Sequence, residues 1–141
     1  MLNKIITAVL LVSTLFIFSC KKKYPDIKIS RASITLSNGA NEEFDATIGS
    51  SPEDNSQEYI IENIGTKDLN ISSIKLNGSG ASAFTLDTKQ FTNGSLAVGN
   101  TVTFSVLLKT STIGNYTASI DIESDAKDNT TFKLNLSGSV H

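Results

Sequence analysis

Between Thr101 and Val140 large apolar side chains recur at every second residue: Val102, Phe104, Val106 and Leu108, then Tyr116, Ala118, Ile120 and Ile122, then Phe132, Leu134 and Leu136. Thr, Ser, Asn, Asp, Glu or Lys mostly fill the positions between them. A period of two belongs to a pleated strand with one dry and one wet face, so the stretch predicts three consecutive strands of an antiparallel sheet. The breaks, residues 111–114 and 125–129, carry turn-forming side chains. Such a sheet cannot bury its apolar face alone, so the residues before Thr101 must supply an opposing layer.

Those residues carry the same signal in shorter pieces. Ile27, Ile29, Ile34 and Leu36 alternate around a bend at Arg31, Ala32 and Ser33, which predicts a first strand that switches sheets. Residues 37–41 form a turn cluster, and Phe44, Ala46 and Ile48 predict a short strand ended before Pro52, which cannot donate to a ladder. Tyr59 and Ile61 share one face against Glu58, Ile60 and Glu62. Asn63, Ile64, Gly65 and Thr66 then predict a turn in which Gly65 permits positive φ and the Asn63 side chain bonds nearby backbone. Leu69, Ile71 and Ser73 run in phase, whereas Ile74 and Leu76 are displaced by one residue, the mark of a bulge. Phe84 and Leu86 make one more short strand. The whole predicts an all-β fold, an antiparallel sandwich of about seven strands.

Composition narrows the function. The 141 residues suffice for one domain and one core. Formal net charge is -2, and without residues 1–19, which hold Lys4 and no acid, eleven basic residues face fourteen acidic ones, giving -3. Nucleic acid calls for a basic face, so it is not an expected partner. One Cys excludes an internal disulfide, and a single His, His141, leaves no base for a hydrolytic triad. G-x-S-x-G is also absent, so the chain is read as no enzyme and no cofactor is expected. Asp121, Glu123, Asp125 and Asp128 are the candidates for a hard cation. No glycine-bearing calcium loop accompanies them, so they are read as a solvated acidic edge and no metal is expected. Glu42, Glu43, Asp45, Glu53 and Asp54 are likewise read as loop charge.

The amino end has its own pattern. Lys4 and an apolar run from Ile5 to Phe18, too short for the roughly 20 residues of a spanning helix, have the shape of a secretory signal. Ile17, Phe18, Ser19 and Cys20 resemble a bacterial lipobox, which implies cleavage between Ser19 and Cys20 and a diacylglycerol on the Cys20 sulfur. The expected organisation is a signal peptide over residues 1–19, a lipidated Cys and basic tether over 20–25, and the sandwich over 26–141. Lys21, Lys22 and Lys23 lie where an anchored chain meets headgroups, and are read as a solvated tether. The expected location is the cell envelope, lipid-anchored and extracytoplasmic, at the outer membrane or cell surface rather than the inner membrane.

From residue 44 to 140 the order of elements resembles the bacterial choice-of-anchor D domains and the related ASPM/SPD-2/hydin (ASH) modules of the immunoglobulin-like class. The residues that carry it are "YIIENIGT" from Tyr59, the Leu69, Ile71, Ile74, Leu76 strand, Phe84 and Leu86 followed by residues 96–108, and residues 114–140 with Gly114, Tyr116, Ala118, Ile120 and Ile122. Lys109 with Thr110, and Ala126 with Lys127, depart from the family's loop residues. The resemblance implies an immunoglobulin-like sandwich and an interaction or spacer module without catalytic activity. Membrane attachment through Cys20 and an unidentified protein or glycan partner follow as expectations. The alternative is a structural or envelope-assembly subunit joined through sheet edges.

Overall fold

A computed structural model describes residues 22–51, 55–91, 94–109 and 111–141. The expected signal run, Ser19, Cys20 and Lys21 lie outside the described residues. The strands in chain order are β1 (Ile27–Arg31), β2 (Ile34–Leu36), β3 (Ala40–Ala46), β4 (Ser56–Asn63), β5 (Leu69–Asn77), β6 (Phe84–Asp87), β7 (Gly94–Leu96), β8 (Thr101–Leu108), β9 (Gly114–Ser124) and β10 (Thr131–Val140). A 3₁₀ turn over Ala81–Ala83 precedes β6. One sheet has the order β2-β1-β4-β8-β6 and the other β3-β10-β9-β5-β7. The all-β sandwich is therefore as the alternation predicts, with short strands such as β2 and β7 raising the number above seven.

Two expectations about layers are corrected. Residues 101–140 are not three neighbours in one sheet: β8 pairs with β4 and β6, while β9 and β10 pair with each other in the opposite layer. Alternation marks which side chains face the core, and it is the same in either layer, so it cannot assign a strand to a sheet. Residues 26–36 are likewise not one bent strand. They form a hairpin within the first sheet, with Arg31 opposite Ile34. Ala32 (φ 46) and Ser33 (φ 68) form its two-residue turn, the conformation that usually selects Asn-Gly, which is why the sequence shows no hairpin signal here. The switch of sheets comes after β2, where residues 37–39 lead into β3, which runs parallel to β10 from Ala40 opposite Leu134 to Ala46 opposite Val140.

Both layers turn their dry faces inward. Ile29, Tyr59, Ile61 and Val106 from the first sheet meet Leu69, Ile120, Ile122 and Leu134 from the second, all fully buried. Each such side chain contributes roughly 1.5–3 kcal/mol relative to exposure. Tyr59 stacks on Phe104 within the first sheet with centroids 5.1 Å apart, whereas Phe44 of β3 meets Phe84 of β6 edge-on at 5.5 Å and so joins the two layers. The phase slip in β5 is a bulge: Ile71 lies opposite Ser124 and Ser73 opposite Glu123, with Ser72 as the extra residue.

The hairpin turn yields a stability prediction. Non-glycine residues in the left-handed region cost of order 1 kcal/mol each. Replacing Ala32→Asn together with Ser33→Gly is expected to raise stability by about 1 kcal/mol, seen as a higher midpoint in thermal unfolding followed by circular dichroism. A lowered midpoint would mean that the turn is not strained.

Candidate interaction site

The strand directions sort the loops into two ends. Residues 24–26, 37–39, 63–68, 97–100 and 125–130 gather at one, and residues 32–33, 47–51, 78–80, 111–113 and His141 at the other. The end with residue 24 is organised by Asn63, whose side chain is completely buried. Its Nδ2 donates to Lys67 O (2.9 Å) and Leu96 O (2.8 Å), and its Oδ1 accepts from Gly65 N (2.9 Å). Its backbone N donates to Asn100 O and its carbonyl accepts from Gly99 N. The expected Asx turn is there, extended into a clamp on the 96–100 loop.

Gly65 has a different reason from the one its sequence suggests. It does not stand at positive φ; a Cβ there would lie 2.5 Å from Asp26 N and 2.6 Å from Tyr24 O. The amino-terminal segment runs across this glycine. Thr66 N donates to Tyr24 O (2.8 Å), Ile64 N to Asp26 O (3.1 Å) and Lys127 N to Pro25 O (3.0 Å). Tyr24 N donates to Thr66 Oγ1, and Lys127 Nζ sits 4.6 Å from the Tyr24 ring centroid. A cation over an aromatic face adds roughly 0.5–1 kcal/mol at an exposed site. Tyr24 and Pro25 are thus part of the domain, which shortens the expected solvated tether to Lys21–Lys23.

At the opposite end the parallel ladder continues past β3 and β10, since His141 N donates to Ala46 O and Ile48 N to His141 O. This fixes one wall of a groove of about 320 Å³ whose floor includes Ala46 and Leu108 and whose rim carries Ile48, Asn55 and Lys109. Ile48 is 50% and Ile113 69% exposed, so this end presents aliphatic surface. A second, shallower cleft of about 430 Å³ lies at Arg31, Ser33 and Gln57.

Beside that cleft the reading of Glu42 as loop charge is corrected. Glu42 lies in β3, points inward and is buried, because the strand's alternation places it in phase with Phe44 and Ala46. Its Oε2 accepts from Arg31 Nε, and the Tyr59 hydroxyl reaches Glu42 Oε2 (3.1 Å) and Gln57 Oε1 (2.9 Å). Burial first, then the Glu42 charge, pushes the Tyr59 phenol well above its ordinary range.

The four acidic candidates for a cation are separated by their own partners. Asp121 accepts from Asn77 Nδ2 (2.9 Å) and stands 3.8 Å from Lys133 Nζ. Glu123 accepts from Ser73 Oγ, and Asp125 takes both Asn70 N and Asn70 Nδ2. Asp128 lies 3.9 Å from Lys127 Nζ. Among the described residues no three His, Cys, Asp or Glu side chains are placed to share a metal ion.

Residues 41–139 match the HYDIN/CFA65/VesB-like, Ig-like domain family. No curated protein matches the chain by sequence. Among solved structures, a Porphyromonas gingivalis W83 protein of unknown function superposes with a TM-score of 0.59 at 10% identity, over 83% of this chain and 47% of its own. The ASH/PapD-like domain 7 of human CEP192 gives 0.52 at 18%, over 95% and 98%. The secreted serine protease VesC of Vibrio cholerae gives 0.51 at 13%, over 70% and 21%. This chain thus spans about half of the first of these and about a fifth of the third, and identities this low establish a shared fold alone.

The raised Tyr59 phenol predicts an alkaline loss of stability. The native state holds a proton that the unfolded chain releases near its ordinary value of 10.0. Its contribution is complete below that pH and falls as pH rises above it. Denaturant titrations from about pH 8 to 11 should show a steeper alkaline decline in the wild type than in Tyr59→Phe. Parallel declines would contradict the assignment.

Proposed function

Because the chain belongs to the HYDIN/CFA65/VesB-like, Ig-like domain family, we propose that it is a cell-envelope lipoprotein, held by lipid on Cys20, whose immunoglobulin-like domain is a non-catalytic module for contact with a protein or glycan. The observation that carries this reading is the docked amino-terminal segment. Tyr24 is bonded to Thr66 at one end of the sandwich, whereas the groove with Ile48, and the exposed Ile113, lie at the other. An anchor at Cys20 leaves that aliphatic end facing away from the membrane, free to meet a partner. Two or three acyl chains, each burying methylenes at about 0.8 kcal/mol, hold a protein on a bilayer stably. The signal-like pattern of residues 1–19 and the lipobox-like Cys20 support the extracytoplasmic side, and the outer membrane or cell surface is the location this reading favours over the inner membrane.

Assembly through sheet edges is the weaker reading, because the edges are blunted. β2 and β7 are three residues long and β6 four. β3 turns Asn41, Glu43 and Asp45 outward, and Gln57 Nε2 already donates to Glu43 O.

Metabolic labelling with a clickable fatty acid tests the anchor. Wild type takes up label and Cys20→Ala takes up none, whereas an unlabelled wild type or a labelled variant defeats the proposal. Chemical crosslinking in the same intact cells tests the contact: wild type gives a defined adduct that Ile48→Glu with Ile113→Glu loses. The module reading fails if that double variant crosslinks as wild type does.

A further inference from the structure

The docked end carries aliphatic surface of its own. Ile64 and Val98 are 48% and 50% exposed there, and Tyr24 is 36% exposed beside them. They stand on neighbouring turns that do not drift apart, since Asn63 holds Leu96, Lys67 and Gly65 with its side chain and Gly99 and Asn100 with its backbone. We propose that this end is a lipid-contact face: Ile64 and Val98 enter the headgroup–acyl boundary of the bilayer that carries the Cys20 lipid, and the domain sits down on the membrane. This inference rests on the lipid-anchor reading given above.

Chain length is what selects a bilayer as the occupant. Only Lys21, Lys22 and Lys23 separate Cys20 from Tyr24, and a fully extended chain covers at most about 3.6 Å per residue, so Tyr24 lies within about 14 Å of the anchored Cα. Thr66 bonds directly to Tyr24, so the turn bearing Ile64 cannot stand further off than that by more than its own width. Amphipathic surfaces at a bilayer bury roughly 5–10 Å deep, and Tyr and Lys gather at the same level. The opposite end is about 30 Å away along the ten residues of β10, at roughly 3.3 Å each, which puts Ile48 and Ile113 out of reach.

The charges at this end do not oppose the contact. Lys22, Lys23, Lys67 and Lys127 stand against Asp26, Asp68, Asp125 and Asp128. Asp26 is turned to the Ile27 amide and Asp125 to Asn70, both within the domain, while Asp128 lies near Lys127. Lys21, Lys22 and Lys23 sit between the domain and the lipid, where cations gain from anionic headgroups. Aliphatic insertion supplies the contact, with lysines at its margin.

The test uses the full chain, expressed with its leader, extracted in detergent and reconstituted into phosphatidylethanolamine/phosphatidylglycerol vesicles. Four variants, Ile64→Cys, Val98→Cys, Ile48→Cys and Ile113→Cys, each receive one nitroxide, the lipid thioether having blocked Cys20. Power-saturation electron paramagnetic resonance then reads collision with oxygen, which concentrates in lipid, against a water-soluble nickel complex. The oxygen-to-nickel ratio is expected to be several-fold higher at positions 64 and 98 than at 48 and 113. Vesicle-bound protein with equally aqueous ratios at all four positions overturns the lipid-contact face and leaves the anchor standing. Protein that fails to float with the vesicles overturns both.

Discussion

A single buried amide holds together the end of the domain on which residues 24–26 dock. Asn63 closes β4, and with no solvent at its side chain every polar group on it must be matched inside the protein. The backbone and side-chain bonds it makes fix the 63–67 and 96–100 turns to each other. With the 63–67 turn set, Gly65 offers the flat backbone across which residues 24–26 lie, and Thr66 and Ile64 offer the amides that bind them. Remove that amide and the path of the amino terminus is no longer determined. The sandwich would then have no fixed end for the membrane contact proposed above.

A second polar site does comparable work at the opposite end. Glu42, Arg31, Tyr59 and Gln57 join β3 to β1 and β4 across the gap between layers, where an apolar contact alone would leave the parallel strand's position loose. Such groups contribute modestly when paired and cost much when one partner is lost, which ties the position of β3 to that of the β1–β2 hairpin. The two ends are thus chemically unlike. One is a laced set of turns with Tyr, Lys and two aliphatic residues, and the other carries an aliphatic groove and a separate cleft at Arg31. That asymmetry suits the tethered contact module proposed above.

The core was legible in the sequence because burial in a sandwich follows a period of two. Phe104, Val106, Ile120, Ile122, Phe132, Leu134 and Leu136 were all marked by alternation and are all buried, and the phase slip between Ser73 and Ile74 betrayed the bulge that lies at Ser72. Layer membership was not legible, since β8 and β9 alternate alike in opposite sheets. Ala32 and Ser33 concealed a hairpin by lacking the residues that turn prefers, and Glu42 looked like surface charge because its partners, Arg31 and Tyr59, are distant in sequence. Its place in phase with Phe44 and Ala46 was the available signal. Gly65 was identified as special for the wrong cause: close approach of a distant segment leaves no local trace. The groove at Ile48 depends on the ladder from β3 to His141, a contact between segments distant in sequence that no local pattern could announce.

The central claim is that residues 24–26 belong to the domain and so decide which end would face the proposed anchor. Amide hydrogen exchange on the folded protein tests it at three residues, Ile64, Thr66 and Lys127, whose amides donate to the carbonyls of Asp26, Tyr24 and Pro25. If the segment is docked, these amides exchange as slowly as those within β4, by opening of the fold. If they exchange at the rate of an open loop while β4 stays protected, the segment is free and the orientation of the domain is unconstrained.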